Sequence, residues 1–234
     1  FPALVLSLVA NATGAHAQLI GDEPEEIRQP ELARGYISLG LKGAQPLQDF
    51  ADYIKAGFGF GGQVSHALDP QRIFSIRAKI DYLIYGHDTE RYHVYGGDLD
   101  ITTSNNILSM GIGPQLMAPG PGVRPYVNGT FGFSYFNTGT ELKWRGAEEP
   151  VDSWSEFSDA VLAWTAGGGL LIPLGSGSRP IMLDLGATYH GNGEAEYLRE
   201  GSITRDESGE THFTPIRSRT NMMVYTIGIS IGAW

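Results

Sequence analysis

Three groups of side chains along this chain are of the types that chemistry uses. His87, Asp88, His93, Asp98 and Asp100 could offer imidazole and carboxylate ligands to a divalent metal. Their spacing matches neither a tetrahedral zinc set nor a calcium loop, and solvated positions on a polar stretch account for them better. His190, Asn192, Glu194 and Glu196 alternate over a short polar run and could do acid–base work. No catalytic motif accompanies them, so they read as the root of a polar loop. Trp144, Trp154 and Phe157 are interleaved with Glu141, Glu148, Glu149 and Asp152. Exposed aromatics of that kind can contact a partner or a glycan, or pack back on the body of the fold, which is the simpler expectation. No catalytic, cofactor-binding or metal-binding residue is assigned on this basis.

Composition narrows the classes further. The formal net charge of −10 argues against a nucleic-acid partner, which would need a basic surface. With no cysteine, the chain has no disulfide framework, thiol nucleophile or thiolate metal site. Beyond the amino terminus no apolar run reaches the roughly eighteen residues of a membrane helix. The first residues, Phe1 to Val9, form a short apolar core, followed by Ala15-His16-Ala17 before Gln18. Residues 1–17 therefore read as a cleavable export signal. Residues 18–33 are acidic and proline-bearing, with no usable period, and read as a flexible lead-in on the periplasmic side.

What must position everything else is a set of alternating strands. From about residue 34 to 234 eight segments show a period of two, the signature of a strand with one apolar face. In the third, Arg72 to Tyr85, Phe74, Ile76, Ala78, Ile80, Tyr82 and Ile84 oppose Ser75, Arg77, Lys79 and Asp81. The last, ending at Trp234, sets Met223, Tyr225, Ile227, Ile229 and Ile231 against small residues. The second is expected over Tyr53 to His66. Three connections are short and turn-like, around Leu68-Asp69-Pro70, Ala118 to Gly122 and Leu174 to Ser178. Four are long: 42–52, 86–100, 137–158 and 191–218. Short and long alternate, so an up-and-down meander collects all the long loops at one end.

Alternation alone does not say which face is outside, since a soluble barrel of the lipocalin kind alternates too. The non-apolar face is rich in glycine and carries Lys55, Arg77, Lys79, Asp81 and Asp184, which could balance one another in a narrow interior. On the other face Tyr82, Tyr135, Trp164, Tyr189 and Tyr225 all fall near the long-loop ends, as an aromatic girdle would. The expectation is an all-β, eight-stranded antiparallel up-and-down transmembrane barrel with its apolar face in lipid. Asp184 should reach across the lumen to an ion pair with Arg77, or with Lys79 one inward position higher.

The runs RPYVNGTFGFSYF (124–136) and GGGLLIPLGSGSRPIMLDLGATYH (167–190), with the closing strand, resemble the small outer-membrane β-barrel family, which includes the OmpA transmembrane domain, OmpX, OmpW and the opacity proteins. Trp234 stands where that family ends on phenylalanine and lies one residue out of phase with Ile227, Ile229 and Ile231. A bulge near Gly232 could restore the phase of this assembly signal. The resemblance implies a monomer in the bacterial outer membrane, exported through its signal. Outer-membrane lipid or lipopolysaccharide and the barrel-assembly machinery would be its partners, and it would need no cofactor. Its role would be structural or surface-interacting, with a lumen filled by side chains. The alternatives are a barrel enzyme that modifies lipid and a narrow channel for small or apolar solutes.

Overall fold

The computed structural model describes residues 33–233, apart from 95–96, 121, 145–151, 176–178, 198–202, 206–210 and 214. The expected leader, nearly all of the lead-in, and Trp234 lie outside the described residues. Eight antiparallel strands close a barrel in which every strand pairs with its neighbours in sequence and the last pairs with the first. They are β1 (Gly35–Pro46), β2 (Gly57–Ala67), β3 (Phe74–Val94), β4 (Gly97–Met117), β5 (Arg124–Trp144), β6 (Asp152–Pro173), β7 (Ile181–Asn192) and β8 (Met222–Gly232). The β1–β8 seam runs unbroken from Tyr36↔Gly232 to Pro46↔Met222, and the phase of Trp234 beyond it lies outside the described residues.

The barrel is inverted relative to a soluble one. Leu162, Leu39 and Leu41 are 70%, 69% and 68% exposed, whereas Asp81 and Asp184 are 1% exposed. Period two produces this sorting because successive side chains leave opposite faces of the sheet. The three short connections share one end with Gly35 and Gly232. Asp69 shapes the first of them, accepting the backbone N–H groups of Ile73 (3.1 Å) and Phe74 (2.6 Å) while Arg72 adopts a left-handed φ of 58°. Desolvation of the Asp69 carboxyl works against its charge, but the backbone amides around it, those of Ile73 and Phe74 foremost, outweigh that and lower its pKa.

Strand lengths divide the molecule. β1, β2, β7 and β8 have 11 or 12 residues, whereas β3, β4 and β5 have 21 and β6 has 22. The expected loops 86–100 and 137–158 are therefore mostly strand. β3 pairs with β4 as far as Val94↔Gly97, β4 with β5 as far as Leu99↔Trp144, and β5 with β6 as far as Leu142↔Asp152. A four-stranded sheet thus rises from one side of the barrel. Register shifts at Ile84/Gly86 and Thr138/Gly139 mark where it leaves the rim, as bulges at barrel mouths do. The polar outward residues of this region hid the alternation from sequence.

The first long connection corrects another expectation. β2 begins at Gly57, and Lys55 stands before it, exposed, outside the interior network. The segment does not continue the alternation because it folds inward through a short 3₁₀ turn, Gln48–Phe50. Ile54 donates its N–H to the Phe50 carbonyl (3.0 Å), so the apolar pair Phe50 and Ile54 follows helical rather than strand spacing. Both are buried with Leu83, Tyr85, Phe136 and Tyr197 in an apolar cluster at the long-loop mouth. A second cluster, including Tyr36, Met117, Tyr126, Leu171 and Met182, occupies the short-turn end. Tyr197 comes from a strand, Glu194–Tyr197, that pairs with Ile216–Arg219 over the mouth.

Candidate functional site

Between the two apolar clusters lies a polar layer built from inward positions of all eight strands. Asp81 of β3 is its centre, with Lys79 Nζ at 2.7 Å and Lys42 Nζ at 3.2 Å. Lys79 also meets His190 Nε2 at 3.0 Å, and Lys42 donates to Thr226 Oγ1 at 2.9 Å. Lys42, Lys79, Asp81 and His190 are almost fully shielded from solvent, so each charge depends on its partner rather than on water. Gly61 makes the cluster possible: a Cβ there would collide with the Asp81 carboxylate and approach Lys42 Cε to 2.8 Å.

Asp184 is held differently from expectation. Tyr126 donates its hydroxyl to Oδ1 (2.7 Å) and Gln63 donates an amide N–H to Oδ2 (2.8 Å). Arg77 lies on the strand opposite, but it donates to Gln115 Oε1 (3.2 Å) and sits over the Tyr126 ring at 5.8 Å. The expected ion pair of Asp184 with Arg77 or Lys79 is absent among the described residues, because Tyr126 stands between Arg77 and Asp184 and Lys79 is engaged by Asp81 and His190. Gly169 and Gly186 leave room for it, since a Cβ on either would come within 2.6 or 2.8 Å of its hydroxyl.

Of the five charges expected in the lumen, Arg77, Lys79, Asp81 and Asp184 are buried there and Lys55 is not. Lys42, expected in a loop, takes the vacant role. It shares the inward row of Tyr36, Ser38 and Gly40, and that spacing was the signal. The outward row beside it turns polar at Gly43 and Gln45, which masked the continuing strand. His190 and Asn192 share the inward row of Asp184 in the same way. Asn192 accepts from Ser134 (2.9 Å) and donates to the Thr220 carbonyl (2.8 Å), which ties β5 to the chain entering β8.

Outside, Tyr135, Trp164 and Tyr225 are exposed, and Tyr82 and Tyr189 are half-buried. Tyr82 stacks near Phe60 (5.5 Å) and Trp164 near Tyr189 (5.3 Å), while Tyr225 donates to Gln45 Oε1 (3.3 Å). Trp144 ends β5 on the raised sheet and is 38% exposed. Trp154 and Phe157 belong to β6, opposite Thr140 and Thr138, and their side chains lie outside the described residues. Arg91 and Asp100 pair across β3 and β4 at 2.7 Å, a contact that raises the Arg91 pKa. The side chains of His87, Asp88 and His93 lie outside the described residues.

Fold and interior together define an eight-stranded barrel with an apolar wall and a charged, hydrogen-bonded core. Neither a protein-family model nor a curated protein matches the chain. Among solved structures it is similar to Neisserial surface protein A, at 10% identity and a TM-score of 0.44, covering 85% of this chain and 96% of that one. It is also similar to Ail, the attachment invasion locus protein of Yersinia pestis, solved in complex with the heparin analogue sucrose octasulfate. There identity is 12% and the TM-score 0.44, over 84% of this chain and 96% of that one. A major outer membrane protein from Thermus thermophilus follows at 13% and 0.42, over 83% and 98%. With likenesses this distant, the barrel's own geometry carries the functional reading.

Proposed function

We propose that this protein is a monomeric outer-membrane β-barrel with a structural or surface-interaction role, its raised sheet outside the cell and its short turns in the periplasm. The inverted distribution of side chains is the observation that carries the reading. A closed barrel leaves no unpaired backbone edge, which hydrocarbon requires, and an apolar wall this exposed would aggregate in water. The shorter strands, of 11 and 12 residues, match the roughly 9–11 needed to cross a bilayer when tilted. The longer ones carry the sheet well beyond it.

Partners follow from location. Lipid or lipopolysaccharide meets the wall, and the barrel-assembly machinery handles the closing strand. Apolar clusters at both ends of the polar layer support a lumen that passes no solute, and the raised sheet offers the surface for contact. Planar-bilayer recording tests this: the reading expects no steady conductance, and a stable open pore would overturn it. Fractionation tests the location, with recovery as a soluble periplasmic protein as the contrary result.

A further inference from the structure

The apolar wall is not uniformly convex. Two adjacent rows of side chains run around it in register. In one, Ile229, Leu39, Gly62 and Ile80 follow one another across β8, β1, β2 and β3. In the row above, Phe60 and Tyr82 stand side by side, their rings 5.5 Å apart. Gly62 is therefore a missing side chain in a line of large ones. A Cβ built there meets only the tip of Leu39 at 3.1 Å and the Ser38 carbonyl at 3.6 Å. The result is a hollow of 760 Å³ on the outside of the barrel.

Its chemistry restricts what can fill it. Backbone groups of the floor are engaged in the barrel's hydrogen-bonded ladder. The Tyr82 hydroxyl is the one polar side-chain group of the lining, so a peptide or a polar headgroup would gain no partner there. A second copy of the chain would associate through small residues that let backbones approach or through polar contacts, and the hollow's rim of Leu39, Phe60, Ile80 and Ile229 supplies neither. An acyl chain needs only contact, and the volume lies within the roughly 300–1,000 Å³ of ligand-sized sites.

Depth identifies the leaflet. Ile80 and Tyr82 lie six and eight residues along β3 from Phe74, at the short-turn rim. At about 3.3 Å per residue and about 40° of tilt, they stand roughly 15 and 20 Å above that rim, in a belt about 25 Å tall. That is the half nearer the raised sheet. We infer that the hollow at Gly62 holds one acyl chain of lipid A from the outer leaflet, an inference that rests on the membrane reading above.

The test uses the full protein inserted into phosphatidylethanolamine–phosphatidylglycerol vesicles with and without lipid A, then extracted in mild detergent and weighed intact. Wild type should retain one lipid A. Gly62→Leu should insert and fold, because a branched side chain suits a strand better than glycine, and should lose that lipid. Gly62→Ala provides a milder filling that should weaken retention if the larger variant fails to fold. Gly129→Leu, at another outward glycine, on β5, should retain lipid A as wild type does. Undiminished retention by both Gly62 variants would overturn the inference. So would equal retention of phospholipid, or a dimer in place of the lipid adduct. Failure to insert at all would overturn the membrane reading itself, whereas insertion with no retained lipid A counts against the hollow alone.

Discussion

Tyr126 stands between Arg77 and Asp184, giving its hydroxyl to the carboxylate at 2.7 Å and its ring face to the guanidinium at 5.8 Å. The two charges face each other across the lumen without an ion pair, joined by an aromatic side chain that answers both. Removing that hydroxyl should cost more than removing the cation. Tyr126→Phe leaves a buried carboxylate short of a donor, a loss of about 1.5–3 kcal/mol. Arg77→Met, which keeps the length of the side chain, should cost less. Urea unfolding in bilayers measures both. A larger loss for Arg77→Met, with strong coupling to Asp184 in a double-mutant cycle, would point to a direct pair instead.

Asp81 is the anion that two lysines share. Asp81→Asn leaves Lys42 and Lys79 buried without their counter-charge and should destabilise the barrel by about 3–5 kcal/mol. A second change, Lys79→Met, should recover part of the loss. Unfolding midpoints of the single and double variants decide it, and no recovery would mean that the damage lies elsewhere.

Lys55 should be nearly silent. It is exposed on the first long connection, so Lys55→Ala should change stability by no more than about 0.5 kcal/mol. An effect as large as that of Asp81→Asn would place it in the interior after all.

The difference between Lys55 and Lys42 shows how far the sequence could be read. Period two located the eight strands and the inward rows of β3 and β7, since one face was apolar for many residues. It failed at residues 42–56, where the outward row had already become polar and the chain turned inward on a helical spacing. Ile54 then looked like outward wall, and Phe50 like part of a loop, rather than the stopper of the mouth. The raised sheet was hidden for a related reason: above the apolar belt the row that continues the wall turns polar, as at Asp100, Thr102, Glu141 and Lys143, so the wall's alternation stops there. Tyr126 was legible, standing in phase with Asn128 and Thr130, but which charge it would meet depends on distances across the barrel that no local pattern encodes.

Phe50 packs edge-on against Tyr197, ring centres 5.4 Å apart, and against Tyr85 at 5.7 Å. Phe50→Ala should cost about 3 kcal/mol or more by leaving a cavity in the cluster at the mouth. It should also admit water to the polar layer, read as faster amide hydrogen exchange at β3 and β7. Unchanged stability would show that the cluster is not a seal.

Orientation can be read on intact cells. Added protease should cut the connection between β5 and β6 and near Arg205, and should spare Asp69-Pro70. Cleavage at Asp69-Pro70 alone would mean that the barrel sits the other way up.

The absence of native cysteine makes the wall itself directly measurable. Single cysteines at Leu39 and Ile229 on the outward rows, and at Ser38 and Ser230 on the inward rows, can each carry a small fluorophore in protein inserted into vesicles with brominated acyl chains. Quenching should be strong at Leu39 and Ile229 and weak at Ser38 and Ser230. Equal quenching at all four, or a soluble protein whose Leu39 site reacts freely with a water-soluble maleimide in the absence of lipid, would contradict a lipid-facing wall.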